Sequence, residues 1–510
     1  MNNKFYSILV TLSIITISIH GQTNLMPAGL SFSNQLEYAY NNDTKNEIFE
    51  NWLNLDYRKS IFSAGLRFDI FQPNDPDPSI SRGKNRYSDI SFKYISAKIG
   101  NRKEGLKLTV GNFYEMLGRG LILKSYEDRS IRIDNNLLGV NISGSYANFN
   151  LKILTGMAEN IQSERKDLLH AADIEYRGIK KLKFGASYAS NSPDIENVAR
   201  TNLAAVRVTP KIWNFEMYGE YGIKQNKDIQ QSTFNNSEYK IGEAIYGNIN
   251  FYLGSFSVST EYKYYDNYAF QSHDKTITYN TPPSLRRDQT YILLNRHPSA
   301  MNQNNEKGFQ FEGNYSFSSN STLLANYSQT KTLSASSYYQ RILGSNIIQQ
   351  LQLKDFYLQF TQAWNSKFET IFAFDYNEEL SSSTKNITPI LDSKFYIGDI
   401  HTLRVVFEHQ QTENVVTDEK YFNQIIQLEY LRSPNISVSL VTEMKTTEPK
   451  PGEMKRDFWG FVMLGYKLAD HTDLSLLIGT RQAGNICVGG VCRYEPEFEG
   501  IELKILTRLF

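Results

Sequence analysis

The chain has 510 residues with 54 basic and 54 acidic side chains, so it carries no net charge. No basic run and no cluster of aromatic with basic residues breaks that balance, which argues against nucleic acid as a partner. A soluble chain of this length would divide into several domains, but no linker composition interrupts this one, and a closed barrel escapes the rule because its core is a wall.

The first residues read as an export signal. Lys4 supplies the positive end, Phe5 to Ile19 an apolar stretch diluted by Ser and Thr, and Gly21 a small residue before Gln22. No later segment approaches the ~18 continuous apolar residues of a spanning helix. The expected organisation is a signal peptide, 1–21, followed by a single barrel, 22–510.

From about Gly29 onward the chain alternates apolar and polar residues, as a strand does when one face meets lipid and the other water. Ala64, Leu66, Phe68 and Ile70 oppose Arg67 and Asp69. Trp213, Phe215, Met217 and Tyr221 oppose Asn214, Glu216 and Glu220, and Phe256, Val258, Tyr262 and Tyr264 oppose Ser257, Ser259, Glu261 and Lys263. At the end of the chain Ile501, Leu503, Ile505 and Leu509 oppose Glu502, Lys504 and Arg508. Short turns, such as those around 58–60, 146–149 and 469–472, alternate with longer connections rich in Asn, Asp, Ser, Gly and Pro, such as 114–135, 268–307 and 377–389. The tally predicts an all-β fold, one large antiparallel transmembrane barrel of about 24 strands, within a range of about 22 to 26, with both termini on the short-turn side.

Strands ~4.8 Å apart and tilted ~40° give such a barrel a circumference of roughly 150 Å, a bore wider than side chains can fill. Two connections are candidate fillers. The first carries Arg119, Lys124, Arg129 and Arg132 with Glu127, Asp128 and Asp134, a mixture able to form a charged pore constriction. Its apolar Met116, Leu117, Leu121, Ile122 and Leu123 need cover, so an inward fold is expected over a solvated surface loop. The second is basic at Arg286, Arg287, Arg296 and His297, and its Tyr291 to Leu294 could add a strand or pack on the wall. Plug, outer cap and partner holder all remain open for it.

Near the end, Cys487 and Cys492 flank Gly489-Gly490. A two-residue Gly-Gly hairpin would place the two thiols opposite each other for a disulfide, worth ~2 kcal/mol in an exported protein. The same hairpin predicts a register in which Ile478 faces Ile501, Leu476 faces Leu503, Leu474 faces Ile505 and Ser475 faces Lys504. A bulge at Pro496 would invert it.

Catalytic and metal chemistry find no pattern. His170, His273, His297, His401, His409 and His471 lack ligand spacing, none pairs recognisably with a Ser and a carboxylate, and Gly118-Arg119-Gly120 is too short for a phosphate-binding fingerprint. No enzyme activity, cofactor or metal is expected.

Three stretches, GNFYEMLGRGLILKSYEDRSIRIDNNLLGV, PPSLRRDQTYILLNRHP with its following GFQFEGNY, and ICVGGVCRYEPEFEG with the terminal strand, resemble an uncharacterised family of large Bacteroidetes-type outer-membrane barrel proteins. The resemblance implies the barrel fold and the outer membrane of a Gram-negative bacterium, and brings no catalytic residues. The terminal Phe510 resembles the signal read by the barrel assembly machinery during insertion, although Leu509 and not Phe510 shares the apolar phase. The expected partners are outer-membrane lipid, that machinery, and other outer-membrane proteins. The expected function is a porin-like channel for passive or selective passage of solutes. The alternative is a non-conducting structural or partner-binding barrel within an outer-membrane complex.

Overall fold

A computed structural model describes residues 27–73, 87–101, 103–128, 133–160, 164–194, 200–226, 240–297, 300–344, 349–380, 382–447, 457–488 and 491–509. The alternating stretches become long strands: β1 (Leu30–Asn41), β2 (Asn46–Lys59), β3 (Phe62–Pro73), β4 (Tyr87–Gly100), β5 (Gly105–Phe113), β6 (Leu137–Tyr146), β7 (Phe149–Ala158) and β8 (Asp167–Ile179). They continue as β9 (Leu182–Pro193), β10 (Thr201–Ile212), β11 (Phe215–Asn226), β12 (Lys240–Leu253), β13 (Phe256–Asp266), β14 (Asn305–Ser318), β15 (Ser321–Lys331) and β16 (Leu351–Asn365). The wall is completed by β17 (Phe368–Glu379), β18 (Thr384–Ile397), β19 (His401–Asn414), β20 (Lys420–Arg432), β21 (Ile436–Lys445), β22 (Phe458–Ala469), β23 (Thr472–Arg481) and β24 (Phe498–Leu509). Each pairs antiparallel with the next, and β24 returns to β1 with Ile505 opposite Leu36 and Leu503 opposite Tyr38. The described residues thus form a closed 24-stranded antiparallel barrel.

The final hairpin pairs as its turn chemistry requires. Leu474 faces Ile505, Ser475 faces Lys504, Leu476 faces Leu503 and Ile478 faces Ile501, with no shift at Pro496. Between these strands the backbone of 484–488 pairs with 491–495, Cys487 opposite Cys492 and Val488 opposite Val491. The side chains of both cysteines, like Phe510 and the segment 1–26, lie outside the described residues. One polar connection is shorter than expected. A loop was expected over 377–389, yet β17 runs to Glu379 and β18 begins at Thr384. The polar residues that look like loop formers face the lumen and bond there: Asn377 donates to Asp355 (3.2 Å), Thr412 to Asn386 (2.8 Å) and Gln410 to Thr388 (3.1 Å).

Outward-facing side chains form an exposed apolar belt. Val206 is 60% exposed, Ile95 51% and Ile478 48%, with Leu66, Leu151, Phe311, Phe372, Leu391 and Ile426 alongside them around the wall. In water an apolar surface of this extent would drive association, whereas hydrocarbon accommodates it. Aromatic rings gather toward the short-turn end. Trp213, at the end of the short turn expected over 210–213, sits in that turn with φ 52° and packs 6.0 Å from Phe251, while Phe215 and Phe251 lie 4.7 Å apart, Tyr315 and Phe317 4.7 Å, and Phe368 and Phe395 4.8 Å. Such a girdle suits a lipid-water boundary. An arginine replacing Ile478 should therefore cost about 2–4 kcal/mol in refolding into lipid vesicles, and an arginine replacing the inward Ser257 much less; equal costs would contradict this assignment of faces.

Candidate functional site

Two connections fold into the bore. In the first, between β5 and β6, Leu117, Leu121, Ile122 and Leu123 are each 1% exposed or less. They pack against inward-facing wall residues, Leu154 of β7, Leu169 of β8, Leu203 of β10, Tyr246 of β12 and Tyr265 of β13, and against Tyr268, Phe270, Tyr279 and Leu285 of the second connection, 267–304. Each large apolar side chain so buried contributes about 1.5–3 kcal/mol. The cluster therefore outweighs any one polar contact that holds the loops.

Polar contacts clasp the two connections together. Thr281 N–H donates to the Gly120 carbonyl (3.1 Å) and Lys124 N–H to the Tyr279 carbonyl (2.9 Å). Asn280, fully buried, donates to the carbonyls of Leu121 (3.0 Å) and Tyr268 (3.1 Å) and accepts from Phe270 N–H (2.9 Å). Gly118 and Gly120 have φ of 60° and 85°, which disfavours any side chain there. A Cβ at Gly120 would also lie 2.6 Å from the Thr281 carbonyl oxygen, and one at Gly118 would collide with the Glu220 carboxylate. The Gly-Arg-Gly motif is thus a close-approach element, and Arg119 N–H donates to Glu220 (3.2 Å).

The charged residues singled out in the first connection divide between wall and ring. Glu127 and Asp134 both pair with Arg67, an inward residue of β3 that also holds Asp69, and Tyr114 donates to Asp134 (2.8 Å). Arg119 lies 5.0 Å from the centre of the Tyr218 ring and Lys124 4.8 Å from that of Tyr126. Burial lowers the Lys124 pKa against the opposing pull of Asp128, and burial together with Asp128 raises Tyr126 to about 12. Arg129 and Arg132 lie outside the described residues.

The second connection spans the lumen as an arm. Arg287 pairs with Glu312 at 2.9 Å. Arg286 lies 3.9 Å from Asp355 and 4.0 Å from Glu379. The segment expected to add a strand or pack on the wall does the latter, as one helical turn, Ile292–Asn295. The N–H groups of Ile292 and Leu293 donate to the buried Glu408 (3.0 and 2.8 Å). Tyr291 and Leu294 pack on Tyr357, Ala373, Ile390 and Val406, and Leu293 on Ile425 and Val441, one inward apolar residue from each strand β16 to β21. Beyond the turn, Arg296 engages Glu443 through both terminal nitrogens and also reaches Gln482 (2.5 Å). His297 Nε2 lies 2.9 Å from Gln410 Oε1, and its Nδ1 lies 3.4 Å from Glu379 Oε2.

The sequence shows the arm's cations but not the acids that receive them, Glu312, Glu379 and Glu443, nor Glu408, which accepts the arm's N–H groups, nor Asn280, and it shows Arg67 and Glu220 only as wall residues without their lumenal partners. A usable signal was present. Leu154, Leu169, Leu203, Tyr357, Ile390, Val406 and Ile425 are apolar residues in the inward phase, which an unfilled aqueous bore would not favour. Among the described residues no group of three or more His, Cys, Asp or Glu could hold a metal ion, and His273 is taken up by Asp167 (2.6 Å).

A family described as "Family of unknown function (DUF6029)" matches residues 1–509. The chain belongs to that family. No curated protein matches it. Among solved structures this DUF6029 member is similar to the P pilus usher (PapC) translocation pore, at 8% identity and TM-score 0.48 over 94% of this chain and 99% of that one. It is also similar to the siderophore receptor PirA from Pseudomonas aeruginosa, at 9% and 0.46 over 94% and 80%. A third is OccK5 (OpdH) of the same organism, at 12% and 0.40 over 75% and 97%.

The clasp makes a direct prediction. Asn280→Ala leaves two buried carbonyls and one N–H without their partner, a loss of about 1–3 kcal/mol per unsatisfied group. Hydrogen exchange should accelerate at least about tenfold in 116–124 and 268–285 while the wall strands keep their protection. Unchanged exchange in both loops would show that the apolar cluster alone holds them.

Proposed function

We propose that this barrel is an outer-membrane channel for small polar solutes, of a Gram-negative cell, whose bore is closed in this state by its own two loops. The observation that carries the reading is the unequal anchoring of the 267–304 arm. Its root shares one large apolar cluster with the first loop, whereas its far end holds the wall through two smaller apolar clusters, around Tyr291 and Leu294 and around Leu293, and through ion pairs and hydrogen bonds to wall carboxylates. Water can replace polar contacts of that kind at modest net cost, while an exposed apolar cluster has no such substitute. The arm is therefore held more firmly at its root than at its tip, where release uncovers only Tyr291, Leu293 and Leu294 and their wall partners. Passage follows the charged inner wall once the tip lets go, and Arg119, Lys124, Glu127 and Asp134 narrow the same path.

The lumen filling also favours the second reading, a non-conducting barrel that serves as a structural or partner-binding member of an outer-membrane complex. Planar bilayers separate the two. For a channel, the purified protein shows brief or small openings, and Arg286→Ala with Arg296→Ala increases open time about tenfold or more, because a contact between charged groups of this kind is worth about 1.5–3 kcal/mol. Silence from both proteins, with other outer-membrane proteins co-purifying, would establish the second reading instead.

On the same proposal residues 1–21 leave on export, the barrel assembly machinery inserts 22–510, and Cys487 and Cys492 are joined. Intact-mass analysis of protein from the envelope should find an amino terminus at Gln22 and thiols that alkylate only after reduction. Alkylation without reductant would remove the disulfide from this picture.

A further inference from the structure

On the short-turn side of the first lumen loop lies a cavity of about 550 Å³. Five cationic side chains, Lys98, Lys107, Lys152, Arg177 and Arg207, line it against two acidic ones, Asp173 and Glu175. Three of the five have local partners: Lys152 pairs with Glu115 (2.6 Å), Arg207 with Asp173 (2.6 Å) and Arg177 with Glu175. Lys98 and Lys107 have no ion pair among the described residues.

Their placement is specific. Lys98 of β4 and Lys107 of β5 are direct register partners, and the row continues through Ser143 of β6 to Lys152 of β7. Ile99 and Leu106, the alternate residues, are 58% and 48% exposed on the outer face, so the lysines belong to the bore and not to the lipid boundary. Like charges directly opposite on neighbouring strands are destabilising. Water weakens the repulsion without abolishing it, and no neighbouring carboxylate relieves it. We infer that this row is a binding site for a small polyanion, a solute carrying two or more negative charges on phosphate or carboxylate oxygens. The cavity has the volume of a small-molecule site, Ser143, Ser145 and Asn150 add hydrogen-bonding groups to its lining, and the Arg207–Asp173 pair, buried on both sides, gives it a fixed edge. Binding here does not require conduction, so the inference stands apart from the channel reading.

The full chain in detergent is titrated calorimetrically at low salt with inorganic pyrophosphate and, separately, with citrate. Saturable binding of either is expected, pyrophosphate alone indicating a phosphate-bearing solute and citrate alone a carboxylate-bearing one. Lys98→Gln with Lys107→Gln should weaken it about tenfold or more, and raised salt should weaken it further. Lys183→Gln, at a bore-facing lysine outside the cavity, should leave it unchanged. Lys107→Glu supplies an independent measure: by giving Lys98 a carboxylate neighbour it should abolish binding and raise the melting temperature together. Absence of binding to the unaltered protein, equal binding by the double variant, or an equal loss in Lys183→Gln overturns the proposal.

Discussion

A strand set between hydrocarbon and water cannot leave a backbone donor or acceptor unpaired on the lipid side, so the sheet has to close on itself. Everything else here depends on the pairing of β24 with β1. It removes the two edges that a 24-stranded sheet would otherwise present, and it fixes the phase in which every side chain points out or in. Once the phase is fixed, the outer face must be apolar, and the inner face is free to vary with whatever the bore contains.

That freedom is used unevenly. Between β5 and β13 the inner face turns apolar or small where the first loop and the root of the arm pack, and between β16 and β21 one apolar residue per strand receives the helical turn at the arm's tip. Elsewhere the inner wall stays charged, with acids placed where the arm brings cations. The lumen is best understood as a second interior built inside the first, with its own apolar cluster, its own buried asparagine and its own ion pairs. The wall closes the sheet, and the two connections fill what the wall encloses.

Most of the wall was legible in the sequence, because alternation with a period of two admits one arrangement for a closed sheet. The register of β23 with β24 followed from a Gly-Gly turn and a matching apolar phase. What was not legible has a common cause. The loop expected over 377–389 failed because Asn386 and Thr388 look like solvated loop residues until their lumenal partners are known. The receivers Glu408 and Glu443 look like ordinary water-facing strand residues until the arm lies across them. The charged residues near Arg119 could be named, but Arg67, which gathers Glu127 and Asp134, lies over 50 positions away in sequence, and proximity of that kind comes only from closure.

The arm leaves the wall at Asp266 and rejoins it at Asn305, and these two residues are themselves register partners at the ends of adjacent strands. The circuit of hydrogen bonds is therefore complete without the intervening segment, whose ends are already held together. Lengthening or trimming such an insert changes closure entropy only logarithmically. The stretch is thus an insert whose length and composition can change while the scaffold that carries it stays untouched.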